Sequence, residues 1–423
     1  MEPSDAEPAP SRRPAEGDPA SLRPPPAPEL ASRAELAELA RRAGLRRIGM
    51  LAWRDLDDPE AGGSELHAHE IASRWAAAGV DVIVRTSAVA GQAVSVERAG
   101  YRVVRRSGRY AVFVTGPVDF SSARYGRLDG VVEIWNGMPF LSPLWARVPS
   151  VVFMHHVHAE MWSMALPRAL AAAGNLMESR LAPPVYRHAR IVTLSASSRR
   201  EIVALPGISA PRVSVVEPGI DSRFCPGGQR SDRPLIVAVG RLVPVKSFHR
   251  LVKVVATVRE EVPDVELVIA GEGYQRSNLE SAIAEAGARS FTRLAGRLDE
   301  DELVALYRRA WVVASTSTHE GWGMTISEAA ACGTPAVATR IAGHLDAIDH
   351  GRTGLLASTD AELVAHLRTI LSDAVLRRRL GRAAMARASH LTWDATASGT
   401  LAVLSREAER RPSRQASSGR LRS

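Results

Sequence analysis

Between Leu235 and Thr339 the sequence alternates short apolar, β-branched runs with helical stretches. Strands are expected at Leu235–Gly240, Val265–Ala270, Thr292–Ala295, Trp311–Ser315 and Pro335–Thr339. Helices are expected at Phe248–Val258, Gln275–Glu285 and Asp299–Arg309, with another opening near Gly323 and ended by Gly333 and Pro335. Strands too apolar to alternate, each followed by a crossover helix, fit a doubly wound parallel sheet with both faces covered. The first half follows the same plan more loosely. A helix is expected over 29–43, then strands at Arg47–Trp53 and Val80–Thr86 around a helix from Ser64 to Ala78. Further strands fall at Tyr101–Arg105, Gly130–Ile134, Ser150–His155 and Arg190–Ser195. A long helical region, 164–187, is broken at Pro183-Pro184, and Glu217-Pro218-Gly219 makes a turn. The expectation is an α/β chain of two Rossmann-like domains, 46–217 and 221–385, facing across a cleft, with a closing helix over 386–404. Residues 1–28 and 405–423 read as polar, Pro- or Arg-rich disordered tails.

Other features narrow the class. Two cysteines, Cys225 and Cys332, argue against a disulfide framework and for a reducing cytosol. No uninterrupted apolar run reaches membrane-spanning length, and the acidic, Pro-rich start does not read as a signal peptide. A cytoplasmic protein is expected. The net charge of +8 suggests an anionic partner, but no aromatic-basic interleaving points to nucleic acid.

Ligands of such sheets bind at the carboxyl ends of the strands, so the loops there carry the chemistry. Gly240-Arg241-Leu242-Val243-Pro244-Val245-Lys246 follows the first strand of the second half. Its two cations suit a diphosphate, Arg as a fork and Lys as a point charge. Thr318 to Pro335 contains Glu320, a helix start near Gly323, and Glu328, with seven residues between the two glutamates. A helix N-terminus holds an anion, and carboxylates accept from vicinal hydroxyls, so the stretch suits a ligand that is part phosphate and part sugar. Gly62-Gly63 lets backbone approach a ligand but lacks the Gly-x-Gly-x-x-Gly dinucleotide fingerprint. His155-His156-Val157-His158 with Glu160 matches no zinc spacing, and one functional histidine, His155 at the strand end, is expected. Asp55-Leu56-Asp57-Asp58 reads as a solvated loop, so no metal site is expected. Gly271-Glu272-Gly273 and Gly296-Arg297 end two further strands and either wall a base pocket or only turn the chain.

Together, Gly240-Arg241-Leu242…Lys246, Gly271-Glu272-Gly273, Glu320-Gly321-Trp322-Gly323…Glu328 and Ala331-Cys332-Gly333-Thr334-Pro335 resemble the retaining glycosyltransferases of family 4 with the GT-B fold. The resemblance covers roughly residues 46–400 and is looser before about residue 190. Trp322 stands where Phe is commoner, and Glu217-Pro218-Gly219-Ile220-Asp221 where the family often has Asn-Gly-Val-Asp. The resemblance implies transfer of a hexosyl unit, of mannose or glucose type, from a UDP- or GDP-linked sugar to a glycan, lipid-linked or small-molecule acceptor. It implies no cofactor and no metal. Arg241 and Lys246 would hold the diphosphate, Glu328 the ribose hydroxyls, and Glu320 hydroxyls of the sugar. Backbone N–H groups of Gly323, Met324 and Thr325 would contact sugar or phosphate. Gly63 would approach the diphosphate from the other domain, His155 would touch the sugar near its anomeric centre, and Arg297 would line the base pocket. Leu391-Thr392-Trp393 and the helix after it look like the family's crossing back to the first domain.

The rival readings are a glycoside hydrolase using Glu320 and Glu328 as acid and base, a nucleotide-sugar epimerase, and a non-catalytic nucleotide-sugar-binding module. Arg102, Arg105, Arg106 and Arg109 are expected to form a basic surface, either merely solvated or able to sit on the anionic inner face of a membrane.

Overall fold

The computed structural model describes residues 29–158, 162 and 167–410. The expected tail over 1–28, Glu160 and the last thirteen residues lie outside that range. Two sheets organise the molecule. The first has eight strands in the order β3-β4-β2-β1-β5-β6-β7-β8. These are β1 Arg47–Leu51, β2 Asp81–Thr86, β3 Ser95–Arg98, β4 Tyr101–Arg105, β5 Gly130–Trp135, β6 Ser150–Met154, β7 Arg190–Thr193 and β8 Val213–Val215. The second has six in the order β11-β10-β9-β12-β13-β14. These are β9 Leu235–Val239, β10 Glu266–Ala270, β11 Thr292–Gly296, β12 Val312–Ser315, β13 Ala336–Thr339 and β14 Gly354–Ala357. All pairings are parallel except β3 with β4. This is the GT-B arrangement of two Rossmann-like domains.

Residue parity decides which side of the first sheet each side chain serves. Met50, Val84, Val132, Ile134, Val151 and Phe153 face a core closed by Ile71 and Trp75 of the Gly63–Ala77 helix and by Leu401 and Leu404. Leu51, Ile83 and Val131, and farther along Trp135, Val152 and Met154, face the opposite layer. Burial on both sides explains why these strands read as continuous apolar runs.

Several elements were not expected from the sequence. Ser95–Arg98 is a half-exposed edge strand, too short and polar for a period-two signal. Helices also form at Val112–Ser121, Ser142–Trp145 and Ala342–Ala347. The 168–186 region is not one helix: Arg168–Leu176 widens into a π turn at Met177–Leu181 and tightens at Pro183–Tyr186. The closing segment also differs from the expected 386–404. One helix ends at Ala388, and the next runs from Trp393 to Arg410. Residues 405–410 are therefore helix rather than tail, because Leu401, Val403, Leu404 and Ser405 bury one face against the first domain.

The two passages of chain between the domains lie side by side. Ile220 donates its N–H to the Leu391 carbonyl at 3.0 Å, and Thr396 Oγ1 donates to the Glu217 carbonyl at 2.8 Å. A Cβ on Gly219 would stand 2.1 Å from the Trp393 nitrogen, so only glycine permits this approach. Beyond the seam, Trp75 Nε1 donates to the Ala397 carbonyl, tying the closing helix to the first domain.

Candidate active site

Each sheet has one place where the crossovers turn to opposite sides, and a crevice opens there. In the second sheet it lies between β9 and β12. The loop after β9 carries Arg241 and Lys246, and the loop after β12 carries Glu320. In the first sheet it lies between β1 and β5, whose following loops carry Gly62-Gly63 and Asn136.

The second crevice is built by close backbone contact. A Cβ on Gly271 would fall 2.0 Å from the Gly240 carbonyl oxygen, and one on Gly273 would fall 2.3 Å from that of Leu242. The two glycine turns interlock, with Leu242 donating its N–H to the Glu272 carbonyl at 2.9 Å. Lys246 ends a short 3-10 turn, and Thr316 Oγ1 donates to its carbonyl at 3.2 Å. That stitch brings Lys246 Nζ within 2.5 Å of Glu320 Oε1, which also accepts from Ser317 Oγ at 2.8 Å. Burial pushes the Glu320 carboxyl up, but the charge of Lys246, with His344 and these hydrogen bonds, outweighs it and leaves the carboxyl below its ordinary range.

Glu328 meets a different environment on the Met324–Ala331 helix. Burial lifts its carboxyl to about 7, against the pull of the Tyr307 hydroxyl, which donates to it at 2.9 Å. The start of this helix has no side-chain cap, and Gly323 adopts φ +104° there. The backbone N–H groups of Gly323, Met324 and Thr325 thus begin a helix beside Glu320, as the spacing implied.

Arg241 reaches across to the first domain. Its side chain is exposed, with Nη1 3.5 Å from the Glu60 carbonyl. A Cβ on Gly62 would lie 3.8 Å from Arg241 Nε, whereas one on Gly63 would meet open space. Gly63 begins the Gly63–Ala77 helix, where Glu65 caps the Gly62 N–H at 2.8 Å and accepts the Ser64 hydroxyl at 2.9 Å. Asn136 Nδ2 donates to Ser64 Oγ at 2.9 Å and its Oδ1 lies 3.1 Å from His158 Nε2. No sequence signal joined these groups, since they are drawn from three separate segments.

Three expectations need correction. The His155 ring is not in the cleft: it continues the inward parity of Val151 and Phe153, packs 4.8 Å from Phe153 and 5.1 Å from His67, and is 6% exposed. Burial holds its pKa down to about 3. The next residue, His156, faces the second domain, with its ring 5.3 Å from that of His319. Arg297 is exposed just beyond edge strand β11, and the Gly296 carbonyl before it accepts the Gly271 N–H at 2.7 Å, so its loop lies beside the Gly271-Glu272-Gly273 turn. Of the four arginines expected to form a basic surface, Arg105 and Arg109 are committed to ion pairs. Arg105 is 2% exposed and pairs with Asp55 at 2.5 Å and with Asp57, while Arg109 pairs with Glu60. Asp55 is accordingly buried, not solvated.

Among the described residues, no group of His, Cys, Asp or Glu has the arrangement to hold a metal ion, and no helix is long and apolar enough to cross a membrane.

The known proteins that this chain is similar to can be set beside this geometry. The family model for glycosyl transferases group 1 matches residues 224–387, and that for Glycosyltransferase Family 4 matches residues 61–224. A glycogen synthase of Mycobacterium tuberculosis is 30% identical over 403 residues, spanning 86% of this chain and 96% of that one. A D-inositol 3-phosphate glycosyltransferase of Pseudarthrobacter chlorophenolicus is 28% identical, spanning 84% and 94%. Among solved structures, sucrose-phosphate synthase from Thermosynechococcus elongatus superposes with a TM-score of 0.71 at 20% identity, over 83% of this chain and 96% of that one. Anabaena HepE, solved in complex with UDP-glucose, superposes with a TM-score of 0.66 at 19% identity, over 84% and 98%.

Proposed function

This chain belongs to glycosyltransferase family 4, the glycosyl transferases group 1, and from that membership we propose that it moves a hexosyl unit from a nucleoside-diphosphate sugar to an acceptor hydroxyl, with retention and without a metal ion. The observation that carries this reading is the convergence of Arg241, Lys246 and Glu320 at the β9/β12 crevice, with Arg241 reaching the Gly62 turn of the other domain. As the anomeric C–O bond breaks, negative charge collects on the departing diphosphate. Arg241, Lys246 and the helix start at Gly323 are fixed there to meet it, and fixed charges need no reorganisation during the step. These cations stand in for a metal.

Glu328, half-buried below Tyr307, would accept the ribose hydroxyls. Glu320 would accept hydroxyls of the sugar being moved. His156, whose ring faces the second domain, would take the contact with that sugar expected of His155. The acceptor would enter against the first domain. Because relatives bear the names glycogen synthase and D-inositol 3-phosphate glycosyltransferase, glycans and phosphorylated polyols are the acceptors to try first.

Thermal melting with UDP, GDP, UDP-glucose and GDP-mannose tests the donor. A ligand at 100 times its Kd stabilises by about 2.7 kcal/mol, a readily measured rise in Tm. No rise with any of the four, together with sugar release from a simple glycoside, would reject the transferase reading in favour of a hydrolase.

A further inference from the structure

Glu178, His158, Asn136, Ser64 and Glu65 form one chain of hydrogen bonds beside the first-sheet crevice. Its direction follows from its two ends, because both are carboxylates and accept only. At one end Glu178 receives the backbone N–H of His158, 3.0 Å from each oxygen, the indole N–H of Trp162 at 2.9 Å, and His158 Nδ1 at 3.1 Å. Nδ1 therefore carries a hydrogen. At the other end Glu65 receives the Gly62 N–H and the Ser64 hydroxyl, with Arg54 Nε 3.4 Å from its second oxygen. The single Ser64 hydrogen is committed to Glu65, so its oxygen accepts from Asn136 Nδ2. The Asn136 carbonyl is then left facing His158 Nε2 at 3.1 Å. That contact is a hydrogen bond only when Nε2 also carries a hydrogen.

We propose that His158 is an imidazolium clamped between Glu178 and Asn136, and that it is a positioning residue whose charge state sets the Gly62-Gly63 turn through Asn136 and Ser64. Removal of the Nε2 proton reverses the chain. Asn136 turns its amide to donate to Nε2, and Ser64 turns its hydroxyl to Asn136. The Ser64 lone pairs then oppose the Glu65 carboxylate that caps Gly62. The turn loses one of its two donors to Glu65 Oε2.

The groups facing His158 fit this assignment. Glu178 is fully buried and favours the cation. The His156 ring lies 4.7 Å away, and the charge of His158 opposes protonation of both His155 and His156. Burial holds both of these histidines neutral at ordinary pH, so they do not compete for the charge. His158 is thus the cation of the histidine cluster. The effect on turnover rests on the donor reading above, whereas the proton assignment does not.

The test reads the proton first. Long-range 1H–15N spectra of the full chain labelled at histidine and glycine, with His158 assigned by its loss in His158→Gln, should show the imidazolium pattern at pH 7. The Gly62 amide shift should follow the His158 titration with the same midpoint. Asn136→Asp places a second carboxylate at Nε2 and should raise that midpoint by about one pH unit, and Glu178→Gln should lower it by a similar amount. Ser64→Ala should leave His158 titrating but uncouple Gly62. A neutral His158 at pH 7, or a midpoint that Asn136→Asp does not raise, overturns the charge assignment. A Gly62 amide that ignores the titration overturns the positioning role. With UDP-glucose as probe, wild-type kcat/KM should carry a severalfold fall above the His158 midpoint that His158→Gln lacks, beside the Glu328 titration common to both. A wild-type profile that matches the His158→Gln profile overturns the coupling to turnover. Absence of turnover with UDP-glucose speaks to the choice of donor alone, and the spectra still decide this one.

Discussion

The Tyr307 hydroxyl donates to Glu328 Oε2 across 2.9 Å, and it is the hydrogen bond that holds this carboxyl while burial drives its pKa to about 7. The pair makes Glu328 unlike Glu320, whose neighbour is a cation. One glutamate is kept ionised and the other is poised near neutrality.

Glu328→Gln is therefore expected to change stability in a pH-dependent way. A carboxyl whose folded pKa of about 7 lies above its ordinary 4.5 binds more protons folded than unfolded between those values. Wild-type stability must then fall as pH rises through that window and level off above it. Glutamine has no such proton. The variant should match wild type near pH 4.5 and exceed it by about 3 kcal/mol at pH 8, measured by urea unfolding at both pH values. Donor affinity should drop about tenfold, since a charged acceptor is lost.

Arg241→Ala and Lys246→Ala should each lower kcat by about 10²–10³, the usual loss for one fixed group facing developing charge. They should differ in stability. Arg241 is exposed and its removal should leave Tm unchanged. Lys246→Ala leaves the part-buried Glu320 without its cation, so Tm should fall as well. Steady-state kinetics with the preferred donor and melting curves of both variants check this. Wild-type rates in either one would remove that residue from the diphosphate.

Arg105→Ala separates a buried ion pair from a basic surface. The change leaves buried Asp55 with Arg98 at 3.6 Å in place of its 2.5 Å partner, and is expected to cost about 3 kcal/mol by urea unfolding. A solvated arginine would cost less than about 0.5 kcal/mol. Salt-sensitive binding to anionic vesicles, if wild type shows any, should not depend on this residue.

Gly343→Ala probes the support behind Glu320. A Cβ there would stand 2.4 Å from the Glu320 carbonyl oxygen and 2.7 Å from the Trp322 nitrogen, so backbone must move. A loss of about 1–3 kcal/mol is expected, with a drop in kcat/KM as Glu320 shifts from Lys246. Unchanged melting and kinetics would show that the loop yields at no cost.

The second domain was legible because its chemistry is local. Gly240-Arg241 through Lys246, Gly271-Glu272-Gly273 and Glu320 through Glu328 each lie on one strand-to-helix connection, so spacing alone placed them at the crevice. What escaped depends on partners far apart in sequence. Nothing near Arg105 shows that Asp55 waits fifty residues upstream, and nothing near Asn136 points to Ser64 or His158. The His155 assignment failed for a subtler reason. A strand buried on both faces gives no polar side to mark direction. Counting parity from Val151 and Phe153 would have turned His155 inward and left His156 for the cleft.

The seam where Ile220 pairs with Leu391 and Gly219 admits Trp393 governs how the two bodies can move. Two independent tethers would let the domains shear past one another, misaligning Arg241 with the Gly62 turn. Bonded side by side, the tethers act as a single strap, and the remaining freedom is a swing about its line. A swing returns both lips of the cleft to the same register at every closure. Glycine at 219 thus sets the repeatability of a contact made far from it, and Gly219→Ala would be felt in the alignment of the cleft even before it is felt in the fold.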